Sequence, residues 1–222
     1  MKVNKLFFSL FFFVLVISVS HAQLYTYIEK TGDEKHYQQI SKKHVGKQLV
    51  LTLTCDDKFS RHLYEPVGYT RQWIMKDKTA GYDFEARRVN NMIHIKGIYQ
   101  SKEIDKSVEI DHLPWLNKLD HGLSAWVRSD EKSTTFWTLK LGSDLEPIRF
   151  EAEKTGEERI TTSAGVFDAI KIKINLHGFL LSSLWSANSW YRKEDGLFLK
   201  YEGTDGPGTP LTINELHQLF RH

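Results

Sequence analysis

Ala169-Ile170-Lys171-Ile172-Lys173-Ile174-Asn175-Leu176 is the stretch that decides the fold. Ile170, Ile172, Ile174 and Leu176 alternate with Ala169, Lys171, Lys173 and Asn175. A period of two puts one set on each face of a β-strand, with one face buried. Upstream, Thr162-Ser163-Ala164-Gly165 predicts a turn in which Gly165 can take a positive φ. Before it, Pro147–Lys154 and Glu158–Thr162 read as two fainter strands. Downstream, Trp190–Lys193, Asp195-Gly196 and Leu197–Glu202 predict a hairpin.

The same period recurs toward the N-terminus. Tyr82, Phe84 and Ala86 alternate with charged residues, Asn90-Asn91 supplies a turn, and Met92–Tyr99 returns. Ile104, Val108 and Ile110 alternate next, although Lys106 falls in phase with them. Gln48–Cys55 places Cys55 in phase with Leu49, Leu51 and Leu53, so the thiol is expected to fill a core position. Fainter strands fall at Leu24–Glu29, Tyr69–Met75 and Thr134–Leu141. Two segments depart from the period: Pro114–Val127 and Thr212–Phe220 both carry spacing closer to helical, and the latter predicts a short closing helix. The expectation is a mainly β chain, a curved antiparallel meander (open barrel or sandwich) with one or two short helices.

Met1 to Ala22 has its own grammar. Lys2 and Lys5 precede an apolar run from Leu6 to Val19, and Ser20-His21-Ala22 offers a small-x-small cleavage site. That apolar run is shorter than the roughly 20 residues a membrane-spanning helix needs. A cleavable signal peptide over 1–22 is therefore expected, with a single β-rich domain over 23–222, and the protein is expected in the periplasm or secreted. Loss of Lys2 and Lys5 from the 30 basic residues leaves them equal to the 28 acidic ones. A neutral mature chain excludes a polybasic nucleic-acid binder. Cys55 is the single cysteine, so an internal disulfide is impossible.

Gly156-Glu157-Glu158-Arg159-Ile160, Thr162-Ser163-Ala164-Gly165-Val166-Phe167-Asp168-Ala169-Ile170-Lys171, the pair Trp190-Tyr191 and the turn Gly196-Leu197 together resemble a family pattern. It is that of exported Gram-negative β-proteins grouped as a domain of unknown function. The resemblance covers about a quarter of the mature chain. It implies a periplasmic curved antiparallel sheet, similar in outline to the carriers that ferry lipoproteins across the periplasm. It implies no catalytic residue.

The chemistry-bearing motifs are sparse. His-Glu-x-x-His and Gly-x-Ser-x-Gly are absent, and one cysteine cannot make a paired-thiolate zinc site. Asp111-His112 and Asp120-His121-Gly122 could orient a base or hold a metal, but polar pairs at segment ends are more often solvated caps, and Asp111 sits where an N-cap would help. Leu180–Ser186 and Gly203–Pro210 mix serines or glycines without a nucleophile or phosphate-loop signature, and read as loops. Of the six tryptophans, Trp137, Trp185 and Trp190 are the candidates to line a ligand cavity, with Tyr191 beside them and Arg192 at its mouth for an anionic head group. No catalytic residue, metal or cofactor is expected. The leading expectation is non-enzymatic binding of a lipid-like or other apolar ligand, or of an envelope protein. The alternatives are a secreted hydrolase using an Asp-His pair and a small outer-membrane barrel.

Overall fold

The computed structural model describes residues 22–142, 144–178, 185–204 and 208–220. The leader expected at the N-terminus lies outside these residues except for Ala22, as does most of the serine-containing segment after Phe179. The first eight strands are β1 (Gln23–Thr31), β2 (Glu34–Val45), β3 (Gln48–Cys55), β4 (Lys58–Tyr64), β5 (Thr70–Asp77), β6 (Tyr82–Val89), β7 (Met92–Tyr99) and β8 (Lys102–Glu109). Two four-residue helices follow, α1 (Leu119–Gly122) and α2 (Ser124–Val127). The remaining strands are β9 (Ser133–Leu139), β10 (Pro147–Thr162), β11 (Gly165–Leu176), β12 (Ser186–Arg192), β13 (Phe198–Thr204) and β14 (Leu211–Phe220).

All fourteen strands form one sheet, ordered β8 through β1, then β14 through β9, with every neighbour antiparallel. The expected meander is therefore correct: consecutive strands pair except β8 and β9, and the one long-range strand pairing joins β1 to β14. The turns follow the local chemistry that predicted them. Asn90 has φ +54°, Gly165 +135° and Gly196 +70°, and asparagine and glycine tolerate this region best.

Three readings are corrected. Thr212–Phe220 is not a closing helix but most of β14, paired with β1 from Leu24↔Phe220 to Thr31↔Thr212. Its inward residues are Thr212, Asn214 and Leu216, so two polar side chains hide the alternation. The two strands read at 147–154 and 158–162 are one 16-residue strand whose register shifts between Lys154 and Gly156. Strands β2 and β4 are not marked by the sequence pattern, since polar residues such as Gln38, Ser60 and His62 occupy their inward positions.

The sheet's inner face carries the core. Tyr27, Ile40, Leu51, Phe136, Ile172 and Leu216 belong to one buried cluster; Trp73, Phe84, Ile95, Ile110 and Trp115 belong to a second under β5–β8. The ladder does not close, because β8 and β9 are its ends. Its ends are nevertheless covered, as exposed strand edges generally are. Lys106, the cation in phase with apolar residues of β8, reaches Glu146 at 3.1 Å and the Asp144 carbonyl beyond β9. The Tyr99 hydroxyl donates to the Gly142 carbonyl at 2.5 Å. The connector after β8 pairs with β9 through Leu116 N–H to the Trp137 carbonyl and Trp137 N–H to the Pro114 carbonyl, both at 2.8 Å. Asn117 locks that connector: its side-chain oxygen accepts from Trp115 Nε1 at 2.9 Å, the Leu139 amide at 3.1 Å and the Thr138 hydroxyl at 3.2 Å. The chain beyond Asn117 is thereby delivered into the curve of the sheet as α1 and α2.

Candidate functional site

The two short helices stand against the inner face of the sheet and are clamped by two turns. A Cβ on Gly68 (φ +89°) would come within 2.6 Å of the Ala125 Cβ. A Cβ on Gly196 (φ +70°) would lie 2.5 Å from the Ser124 carbonyl oxygen. Only glycine allows both the positive φ and the close approach, so each turn can rest directly on α2. Between these turns, the helices and the inner face of β1–β3 lies an open cavity of about 410 Å³, within the range typical of small-ligand sites.

Its wall is mixed. Tyr25, Leu49, Pro66 and Leu197 give it an apolar side, while Lys42, His44, Lys47 and Arg128 bring cations and imidazole. Lys42 is in phase with Ile40 on β2, opposite Leu51 of β3. Its amine stands 5.4 Å from the Tyr25 ring centroid. Burial lowers this amine to about 8, against the attraction of Asp195 and Asp120, with Arg192 and Arg128 adding to the drop.

His121 lies at the inner end of the cavity, 5% exposed. Its ring meets Tyr27 and Phe198 edge-on at 5.5 and 5.4 Å between centroids. Neither ring nitrogen has a hydrogen-bond partner. Burial, and then the nearby Lys42, Lys118 and His62, hold its pKa well below the usual imidazole value, so the ring is neutral. A neutral imidazole still offers one N–H donor and one acceptor. The tyrosines behind it have committed hydroxyls: Tyr27 donates to the Phe198 carbonyl at 3.0 Å and Tyr64 to the Asn117 carbonyl at 3.1 Å.

The Asp-His pairs do not form catalytic dyads. Asp120 is held by Lys118 at 2.7 Å and by the Asn214 amide at 3.4 Å, and makes no bond to the His121 ring. Asp111 accepts from Trp137 Nε1 at 2.8 Å and from the Leu113 amide at 2.9 Å, while His112 is exposed. Asp111 thus pins a turn rather than capping a helix. The Trp137 bond, aided by Leu113 N–H, His112 and Arg149 and opposed by burial, lowers its pKa.

None of the five residues singled out from sequence lines the cavity: Trp190 and Tyr191 belong to the first core cluster with Trp185 packed against it, and Trp137 lies at the second. Trp137 packs against the second core cluster, with Arg149 over its ring at 5.5 Å. Trp185 donates to the Thr204 carbonyl at 2.6 Å and meets Phe150 edge-on. Trp190 and Tyr191 are neighbours on β12 and so face opposite ways. Tyr191 is wholly buried beside Phe198. Trp190 shares a face with its strand partners Lys171 and Lys200, whose amines lie over its ring at 5.1 and 5.5 Å, and its indole N–H bonds to Glu158. Arg192 clasps Asp195 with two bonds of 2.8 and 2.6 Å, and through Asp195 it touches the cavity wall without lining it. Sequence patterning does not single out Lys42 or Arg128, and it marks His121 only as half of an Asp-His pair. The legible signal for Lys42 was a cation in phase with Ile40, the same signature noted for Lys106.

One set of metal-capable donors exists among the described residues. His36, Cys55 and Asp56 bring ligand atoms within 4.8 Å of one another at the β3–β4 turn. The Asp56 carboxylate already bonds His36 Nδ1 at 3.1 Å, and Cys55 Sγ is 3.7 Å from it. Burial, with Asp56 and Glu29 adding, pushes the Cys55 thiol up. The trio is thus accounted for as a His36–Asp56 hydrogen bond beside a buried thiol.

No family model and no curated protein matches this chain. A solved structure from Brucella abortus, a β-barrel-like protein of the domain of unknown function DUF1849, aligns over 91% of this chain and 98% of its own, with a TM-score of 0.54 and 8% identity. A Bacteroides fragilis protein with a YmcC-like fold aligns over 90% and 95% with a TM-score of 0.33 and 10% identity, a likeness too slight to carry an argument. What this chain shares with the Brucella protein is the fold, a curved β-barrel-like sheet of undefined role.

Proposed function

We propose that this chain is an exported, non-enzymatic binding protein that takes a small apolar or amphipathic ligand, or a segment of an envelope client, into the cavity between β1–β3 and the two helices. The observation that carries this reading is the cavity itself: about 410 Å³, open at one side, walled by rigid strands and by helices that two close-packed glycine turns hold in place. The N-terminal leader supports export. The outward positions of β6 and β11, among them Asp83, Glu85, Arg87, Lys171 and Lys173, are charged or pair with charges. Such a face suits water and not lipid. With His121 unpaired to any carboxylate, the hydrolase alternative lacks an oriented base.

Native mass spectrometry of the mature protein purified from its own periplasm, followed by solvent extraction, tests the reading. A stoichiometric small-molecule adduct is the expected result. A bare mass, together with no binding of any amphipathic probe added back, would refute it.

A further inference from the structure

The charges around the cavity are not balanced by their own pairing. Its acidic residues are already engaged: Asp195 by Arg192 at 2.6 Å and Glu65 by Arg71 at 3.4 Å. Asp120, just behind the wall, is engaged by Lys118 at 2.7 Å. Lys42, Lys47 and Arg128 line the same space and make no ion pair among the described residues. One of these cations, Lys42, is sunk deep enough for burial to disfavour its charge, a cost that an anionic partner would offset. Next to it stands His121, more than nine-tenths buried with both ring nitrogens unbonded. Buried polar groups in folded proteins nearly always have partners, so an orphan beside a cavity leaves a group for a water or a ligand to meet. The apolar side, Tyr25, Leu49 and Leu197, lies within the same enclosure.

From this juxtaposition we propose that the cavity is a receptor for the anionic head, carboxylate or phosphate, of a small amphipathic ligand, with Lys42 and Arg128 supplying the charge and His121 an N–H donor. The inference rests on the binding role given above and specifies its chemistry. Charge-assisted hydrogen bonds of this kind discriminate strongly against a neutral head, since losing the anion leaves the amine buried and unpaired.

The test is calorimetric titration of the mature protein with dodecanoate, dodecyl phosphate, dodecanol and inorganic phosphate, each below its aggregation limit. Dodecanoate or dodecyl phosphate should bind at least tenfold more tightly than dodecanol, and the stronger of the two names the head group. Lys42→Met should abolish that preference, whereas Lys42→Arg should keep most of it. His121→Gln provides a second variant should Lys42→Met fail to fold, and should weaken the anionic probe severalfold. Equal binding of dodecanol and the anionic probes, unchanged in Lys42→Met, would overturn the head-group assignment and leave the cavity a general amphipath site. Inorganic phosphate binding as tightly as dodecyl phosphate would assign the site to a free anion and overturn the amphipath. Failure of every probe would overturn the inference together with the binding role beneath it.

Discussion

Replacing Gly196 by alanine isolates the contact that holds the helices against the sheet. Gly196 has φ +70° and Gly46 has φ +61°, so both substitutions force alanine into the left-handed region. That costs about 1–2 kcal/mol, partly offset by the roughly 0.4–1 kcal/mol gained from a less flexible unfolded chain. At Gly46 nothing lies within 4 Å of the added Cβ, so Gly46→Ala should lose only this balance, about 1 kcal/mol. At Gly196 the Cβ meets the Ser124 carbonyl oxygen at 2.5 Å and the Arg128 Cγ at 3.2 Å. The carbonyl belongs to the backbone and cannot swing away, so the turn or α2 must shift. Overpacking of that kind adds about 1–3 kcal/mol, for a total near 3 kcal/mol. For a domain of this size each kcal/mol lowers Tm by about 2–4 °C. Thermal unfolding followed by circular dichroism should therefore show a drop of about 2–4 °C for Gly46→Ala and about 6–12 °C for Gly196→Ala. Equal drops for the two variants would refute the docking of the β12–β13 turn on α2, and with it the cavity wall.

His62 is 2% exposed, bonds Ser60 at 2.8 Å, and burial, with some help from Lys118, lowers its pKa to about 3. Because the unfolded chain binds this proton more readily, stability is full above pH 6.5 and falls as the pH drops toward 3. Between pH 7 and 4 the loss is on the order of 3 kcal/mol; urea titrations across that range should show it, and His62→Gln should flatten the slope. The Cys55 thiol, 8% exposed and raised in pKa, should react with a maleimide at least tenfold more slowly in the native protein than in urea; equal rates would contradict its burial. Trp190→Ala should cost about 3–5 kcal/mol in urea unfolding, yet leave the affinity for dodecyl phosphate within twofold, since Trp190 does not line the cavity. A tenfold loss of affinity would put Trp190 back among the ligand-binding residues.

What the sequence determined by itself was everything that a period of two can carry. Ile170, Ile172 and Ile174 fix their strand and its buried face because hydrophobic burial acts on each residue locally. Asn90-Asn91 and Asp195-Gly196 mark turns because positive φ is a local demand. Only the tertiary structure decided that β14 is a strand: Thr212 and Asn214 turn inward because pairing with β1 supplies the backbone bonds that their own pattern does not advertise. The site followed the same rule. Lys42 and His121 lie 79 positions apart in the chain, and no spacing rule relates a strand cation to a short-helix imidazole. They share a wall because Asn117 ties the connector to β9 and because two glycine turns let α2 sit close. Trp190 and Tyr191 make the complementary point. Adjacency in sequence suggested one aromatic patch, and the pleat of β12 sends the two rings to opposite faces.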